Sequence, residues 1–331
     1  DINGEKRRVL ASGKKTGEFK VSPEGEWLAF TEYYSAYVTP LPKTGNTLKI
    51  TGSMKSLPVR KISNRSGEFL RWSADSRAIQ WSSGPTLYST NIDAAKTTDK
   101  HDSKPLNLSY QSDSDTPQGT IALTHARVVT MREADSQQEV IEDATLIIKD
   151  NRIVAVGKLN DIDLPADAFI FNAKGKTIIP GLVDVHAHGS AASRGITPQQ
   201  NWMQYSNLAF GVTTIHDPSN STSEIFSHAE LQKAGQVLGP RTYSTGKILY
   251  GALSPSYEAT INNYDDAFYH VKRLKDSGAI SVKSYNQLRR DARQQVIHAA
   301  SNLGMMVVSE GGMKFQHNMT HIADGHTGIE H

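Results

Sequence analysis

The chain has 331 residues, which is long enough for two or three domains with cores of their own. Its formal net charge is +2 and it carries no basic cluster, so it does not resemble a dedicated nucleic-acid binder. No apolar run approaches the roughly 20 residues that a membrane helix needs. Cysteine is absent, so any metal has to be held by histidine, carboxylate or a modified lysine.

Two segments of the N-terminal region, residues 17–30 and 67–81, repeat one pattern. Each is predicted to form a strand, a tight turn (Ser-Pro-Glu-Gly at 22–25, Ser-Ala-Asp-Ser at 73–76) and a second strand. A hairpin repeated at this period is typical of β-propeller blades. The turns resemble those of TolB-like β-propellers, and on that resemblance residues 1–115 hold part of a propeller. A small β-rich module with two similar hairpins is the alternative.

Residues 94–119 are polar and poor in apolar side chains, which predicts a linker. A second β module is expected within residues 116–177. Its predicted strands are 121–130, 144–149 and 152–157, and the last two are joined by a two-residue turn at Asp150 and Asn151.

The stretch 178–189 is predicted to be a buried apolar strand that ends in His186 and His188. Side chains alternate between the faces of a strand, so these two histidines should point the same way, about 7 Å apart along the chain. Two imidazoles directed at one spot form half of a metal site. Two histidines satisfied by hydrogen bonds at a strand end are the alternative.

From residue 178 onward, strands and helices alternate. The predicted strands are 178–189, 212–217, 241–245, 279–283, 305–310 and 327–331, and the predicted helices are 197–210, 223–237, 265–277 and 287–302. This order favours parallel strands joined by right-handed crossovers. Titratable residues stand where the strands end, which is the active face of a (β/α) barrel: His186, His188, His216, Lys283, Glu310 and His331.

The motif Pro-Gly-Leu-Val-Asp-Val-His-Ala-His at 180–188 resembles the first-strand signature of the amidohydrolase superfamily. Gly-Val-Thr-Thr at 211–214 and Gly-Ile-Glu-His at 328–331 resemble its imidazolonepropionase- and prolidase-like branch. The resemblance spans roughly residues 120–331. It implies an α/β fold in which 116–177 form part of a β-sandwich. Residues 178–331 would then form the first six strand–helix units of an incomplete, eight-stranded TIM-type barrel.

The resemblance also implies a metal centre. His186 and His188 would hold the more buried metal, Lys283 would be the CO₂-carboxylated bridging lysine, and His331 would be the sixth-strand ligand. The family usually has histidine at the end of the fifth strand, and here Glu310 is the natural replacement, since a carboxylate also binds Zn²⁺. One or two Zn²⁺ ions are expected, with Mn²⁺ or Fe²⁺ as alternatives. The family's final-strand aspartate, its general base, is expected beyond His331.

His216 and Tyr285 follow their strands and are candidates for positioning substrate; simple hydrogen bonding at the barrel rim is the alternative for both. The expected activity is hydrolysis of amide, small-peptide or cyclic-amide C–N bonds through a metal-activated water. A propeller-based peptide- or protein-binding protein with a degenerate, non-catalytic barrel is the alternative.

Residues 178–331 are fewer than the roughly 250 of a typical (β/α)₈ barrel. We therefore expect the native protein to continue past His331, and we expect this chain alone to be inactive. A propeller of this type without cysteine favours a periplasmic or exported location. A small molecule or short peptide is the expected substrate, and the sequence sets neither its identity nor the oligomeric state.

Overall fold

A computed structural model describes residues 5, 7–64, 66–93, 104–134, 137–249 and 259–331. The chain divides into two compact units. The first comprises Asp1–Gln111, Asp217–Phe226 and Tyr243–His331, and the second comprises Ser112–His216 and Ser227–Thr242. Among the described helices, none combines the length and the apolar character needed to span a bilayer.

The N-terminal part of the first unit is built from two four-stranded antiparallel sheets, in the orders β2-β3-β4-β6 and β7-β8-β9-β10, and a short parallel pair β1-β5. The strands are β1 Ala11–Ser12, β2 Thr16–Val21, β3 Trp27–Glu32, β4 Ser35–Pro40, β5 Leu48–Lys49, β6 Arg60–Lys61, β7 Glu68–Trp72, β8 Ala78–Ser83, β9 Thr86–Asn91 and β10 Lys104–Asn107.

The predicted hairpin repeat is present in these sheets, as β2–β3 in the first and β7–β8 in the second. The repeats also contact each other at equivalent positions. The Trp72 indole nitrogen donates to the Lys20 carbonyl (2.9 Å), and the Leu70 amide donates to the Glu18 carboxylate (2.8 Å). Two sheets do not make a ring, so a propeller stays a prediction.

The predicted linker, residues 94–119, lies partly outside the described residues, at 94–103. Its next four residues contradict the prediction, because Lys104–Asn107 forms β10 and pairs with β9 in antiparallel register. Strand pairing satisfies backbone groups of this short segment, which lies within a polar stretch of the sequence.

The second unit contains a five-stranded sheet with the order β13-β12-β11-β14, and β15 pairs with β11 as well. The strands are β11 Thr120–Ala134, β12 Gln137–Lys149, β13 Arg152–Lys158, β14 Phe169–Asn172 and β15 Thr177–Ile178, with a 3₁₀ turn at Leu159–Asp161. The predicted turn joins β12 to β13, with Asp150 at φ 55°. A sandwich needs a second sheet, which the described residues of 116–177 do not supply, so that part stays a prediction.

The predicted alternation of strands and helices from residue 178 onward is confirmed. The elements are β16 Leu182–Asp184, α1 Trp202–Ala209, β17 Val212–Asp217, α2 Thr222–Lys233, β18 Arg241–Ser244, α3 Tyr264–Asp276, β19 Ser281–Ser284, α4 Arg290–Asn302, β20 Met306–Glu310, α5 Phe315–Ala323 and β21 Gly328–Glu330. β16 pairs with β17, β19 with β20, and β20 with β21, all in parallel. The six strands lie in two three-stranded sheets, and the described residues form no closed barrel.

One burial prediction is wrong. The strand before His186 was expected to be buried, but Leu182 and Val183 are 51% and 61% exposed. The reason is the position of β16, which is the edge strand of a three-stranded sheet. Its apolar side chains therefore lack the covering layer that a parallel strand inside a complete α/β fold receives on both faces.

The core beside β19 and β20 comes from helices α3 and α4. Ala267, Val271 and Leu274 of α3 are fully buried, as are Val296 and Ala299 of α4. On each helix these positions recur at a spacing of three or four residues, so they form one apolar stripe that packs against the sheet. This packing fixes the two strands that carry Lys283 and Glu310.

Candidate functional site

The register of the sheet β19-β20-β21 brings three charged residues to one face. Lys283 lies opposite Val308, Val308 lies opposite Gly328, and Glu310 lies opposite Glu330. Residues two apart on a strand project to the same face, and paired residues of neighbouring strands do so as well. Lys283, Glu310 and Glu330 therefore project together at the carboxyl ends of parallel strands, where α/β folds hold their sites.

Lys283 is the centre of this cluster. Its ammonium nitrogen is 2.9 Å from the Glu310 carboxylate and forms an ion pair with the Glu330 carboxylate as well. The Lys283 side chain is only 2% exposed, and the two glutamate side chains are each 10% exposed. A buried ammonium persists only when it is paired, and here two carboxylates provide the pairing.

His331 joins the cluster from the residue after β21. Its Nδ1 contacts the Glu310 carboxylate. The residue has φ 72°, a left-handed conformation that ends the strand's alternation of faces. The structure thus brings together Lys283, Glu310 and His331, three of the five metal ligands expected from the resemblance.

Glu330 was not expected in the site. The sequence gives a signal for it, because Glu330 and Glu310 both end a strand of one parallel sheet. A glutamate at a strand end is usually solvated, so this position alone does not identify a site residue.

His186 and His188 lie in the second unit, just after β16. Their Nε2 atoms are 3.1 Å apart, and the rings are nearly perpendicular at 83°. The His186 amide donates to the Asp184 carboxylate (3.0 Å), which bends the chain directly after the strand. The two imidazoles thus face each other with their Nε2 atoms close together, an arrangement open to a shared ligand.

His216 contacts the segment that carries His186 and His188, and its role in binding substrate stays a prediction. Its Nδ1 is 3.3 Å from the Val185 carbonyl, and its own carbonyl accepts from the Ala187 amide at 3.0 Å. His216 therefore helps to hold the segment that carries His186 and His188. Tyr285 follows β19 directly and is half-buried, and its role in binding substrate stays a prediction.

The donor chemistry of both sets fits a divalent metal, because imidazole and carboxylate are ligands that Zn²⁺ accepts. Within the described part of the chain, however, no three histidine or acidic side chains are arranged to hold an ion by themselves. In the first unit, the Lys283 ammonium also forms ion pairs with the carboxylates of Glu310 and Glu330. A metal can use that set only after Lys283 loses its positive charge.

Comparison with known proteins gives local sequence similarity and a shared fold. No family model matches the chain. A stretch of 66 residues is 44% identical to imidazolonepropionase of Vibrio cholerae, covering 20% of this chain and 16% of that protein. The solved structure of a Xaa-Pro dipeptidase superposes with a TM-score of 0.51 at 18% identity, over 64% of this chain and 61% of the dipeptidase. A molinate hydrolase superposes similarly, with a TM-score of 0.51 at 16% identity, over 64% of this chain and 58% of the hydrolase.

The chain spans only a small part of the length of the imidazolonepropionase that it matches. At identities below 20%, the two solved structures show that the fold is shared. The mixed α/β fold inferred from the alternating strands and helices is thus found in solved hydrolase structures.

Proposed function

We propose that this protein is a metal-dependent amidohydrolase that cleaves C–N bonds. The observation that carries the proposal is the buried Lys283, which is clustered with Glu310, Glu330 and His331 at the carboxyl ends of parallel strands. A lysine in this position is a poor choice for stability alone, because a buried ion pair is at best weakly stabilising. The shared fold with a Xaa-Pro dipeptidase and the local identity to imidazolonepropionase support the same reading.

The residue roles follow from their chemistry. His186 and His188 would hold one metal through their Nε2 atoms. The Lys283 ammonium would first lose a proton to solvent, and reaction of the neutral amine with CO₂ would release a second proton and leave an anionic carbamate. Carboxylation would remove the ammonium that pairs with Glu310, and Glu310 and His331 would then be the residues that bind the second metal. A divalent metal at such a site acts as a Lewis acid and makes water a competent nucleophile near neutral pH.

We propose amide, small-peptide or cyclic-amide bonds as the substrate class. The names of the similar proteins, imidazolonepropionase and Xaa-Pro dipeptidase, support this range. Tyr285 and His216 are the residues proposed to contact the substrate, and His216 would do so while it also holds the segment that carries His186 and His188.

Metal analysis tests the proposal directly. Protein purified without chelator should contain at least one equivalent of Zn²⁺, Mn²⁺ or Fe²⁺. Lys283→Met and His188→Ala should each weaken metal binding by roughly tenfold or more, since even the outer partners of metal ligands are worth 10- to 100-fold. His298→Ala, the loss of an exposed histidine on α4, is the control and should keep the wild-type metal content.

Metal uptake measured with and without bicarbonate distinguishes the enzyme proposal from the non-catalytic alternative. In the ion-paired state that the structure shows, Lys283 could serve structure alone, as in a degenerate barrel that only binds a peptide. If Lys283 is carboxylated, added bicarbonate should increase metal uptake by the wild-type chain and not by Lys283→Met. Equal uptake with and without bicarbonate, together with less than one equivalent of metal, would refute the enzyme proposal.

A further inference from the structure

Three histidines that play no part in the candidate site meet on α5 and the turn after it. His317 and His321 are one helical turn apart, and their Nε2 atoms are 3.0 Å from each other with the rings at 84°. On its other side, the Nδ1 atom of His321 is 3.4 Å from Nε2 of His326. His321 is buried, with 1% of its surface exposed, while His317 is partly open to solvent.

The contact of His326 with a backbone carbonyl determines which nitrogen carries the proton in this row of imidazoles. His326 Nδ1 is 3.0 Å from the backbone carbonyl of His321, and a carbonyl only accepts, so Nδ1 of His326 carries the proton. Burial lowers the pKa of His326, which keeps the ring neutral near pH 7 and leaves its Nε2 as an acceptor.

His321 is constrained by its neighbour His326. Its Nδ1 faces the His326 acceptor and therefore donates. Burial, and after it the positive charge of Arg293, lowers the pKa of His321 to about 4, so this ring is neutral too. Its Nε2 must then carry a lone pair, and this lone pair points at Nε2 of His317.

We propose that His317 and His321 form a clip for a divalent transition metal of the Zn²⁺ class. The Nε2 atoms of the two imidazoles are 3.0 Å apart. At this separation both can bind one ion at the usual Zn–N distance, with an N–metal–N angle of about 94°. His326 would orient His321 by accepting its other ring N–H, which is the role that outer-shell partners have around metal-binding histidines. The partly open His317 leaves room for water to complete the coordination.

The charges around the clip make it weaker than a full three-histidine site. Arg293 reaches this region, where its guanidinium donates to the Thr320 hydroxyl at 2.8 Å, and Arg293 and Lys314 both lower the pKa of His317 after its partial burial. These cations keep the imidazole neutral but also repel a metal. The nearby Asp324 carboxylate accepts from Arg290 and Gln294 and so is engaged elsewhere.

Zinc titration of the full chain, freed of metal beforehand, tests the clip. Calorimetry should show a zinc site in the wild type that His317→Ala loses, with at least a tenfold drop in affinity. His317 is partly exposed, so this variant should fold, and circular dichroism checks that it does. His298→Ala, on the neighbouring helix α4, should keep the site.

A second variant separates this site from the proposed catalytic centre. His188→Ala should keep the zinc site that His317→Ala loses, whatever happens to the other metals. Unchanged zinc stoichiometry and affinity in His317→Ala would overturn the clip and leave the pair as a simple N–H···N hydrogen bond. Absence of zinc binding by the wild-type chain would overturn it as well.

Discussion

His270 of α3 is buried among groups that disfavour its protonation. Its ring packs edge-on against Tyr34 and Tyr269. Burial first, and then the charges of Arg273 and Lys61, lower the pKa of His270 to about 3. An unfolded histidine has a pKa of about 6.5. Between these two pKa values the histidine binds a proton in the unfolded state but not in the folded state, so acid favours unfolding of the protein.

We predict that stability falls as the pH drops from about 6.5 toward 3, with a contribution from His270 of about 2 kcal/mol at pH 5. His270→Leu should remove this contribution. Urea unfolding at pH 7 and pH 5 measures it as the difference between variant and wild type. His298→Leu, the same change at an exposed position, should behave like the wild type. An unchanged pH dependence in His270→Leu would contradict the prediction. The pKa of His321 is also lowered, to about 4, and its share of the pH dependence should remain in both the wild type and His270→Leu.

At the residue scale, the sequence predicted positions better than contacts. The clustering of Lys283 with Glu310 could be expected because both end neighbouring parallel strands. The pairing of Lys283 with Glu330 depends on the register of β19-β20-β21, which no local pattern reveals. The His317–His321 pair was not predicted, because no helix was predicted between residues 310 and 327 and the two side chains meet only on a helix.

At the element scale, helix α3 shows how local signals fix a boundary. The Asn263 side chain accepts a hydrogen bond from the Asp266 amide at 2.9 Å, and the Asp266 carboxylate accepts from the Asn262 amide at 3.0 Å. These bonds satisfy amides that the first helical turn leaves without partners. Asp265 and Asp266 in the first turn also match the positive end of the helix dipole.

We predict that Asn263→Ala destabilises the protein by about 1 kcal/mol, because the first turn of α3 loses its cap. Urea unfolding followed by far-UV circular dichroism measures the change. Asn46→Ala, the same substitution in an exposed loop, is the control and should stay within about 0.5 kcal/mol of the wild type. Equal stability of the two variants would show that this cap contributes nothing.

The elements themselves were largely predictable, and the exceptions have physical reasons. The alternation of apolar strands with amphipathic helices from residue 178 onward is a strong local signal. The exposure of β16 was not predictable in the same way, because it depends on which other elements cover the strand. Strand β10 was missed because it is only four residues long and lies in a polar stretch, and its pairing with β9 is not visible in the local sequence.

At the scale of the whole molecule, the first unit combines the N-terminal sheets with most of the α/β part. Several contacts join them. The Tyr269 hydroxyl of α3 is 3.0 Å from the Ser35 hydroxyl and donates to the Tyr34 carbonyl at 3.1 Å. The Arg273 guanidinium also stacks on the Tyr34 ring, 3.6 Å from its centre. This packing was not predicted, because the hairpin repeat and the alternating strands and helices were assigned to separate domains.

A substitution at Gly84, in the turn between β8 and β9, tests this packing. The residue has φ 54°, and a Cβ there would overlap the carbonyl oxygen of Asp276 at the end of α3 and lie 2.7 Å from its carbonyl carbon. We predict that Gly84→Ala destabilises the protein by about 2 to 4 kcal/mol, combining the cost of positive φ with a clash against backbone that cannot move aside.

Gly45→Ala is the matched control, because Gly45 has φ 81° but open space around its Cβ position. It should lose only about 1 to 2 kcal/mol, the cost of the left-handed conformation alone. Urea unfolding of both variants isolates the clash as their difference. If the hairpin turn did not rest against α3 in solution, the two alanines would cost the same, and the joining of the N-terminal sheets to the α/β part in one unit would lose its support.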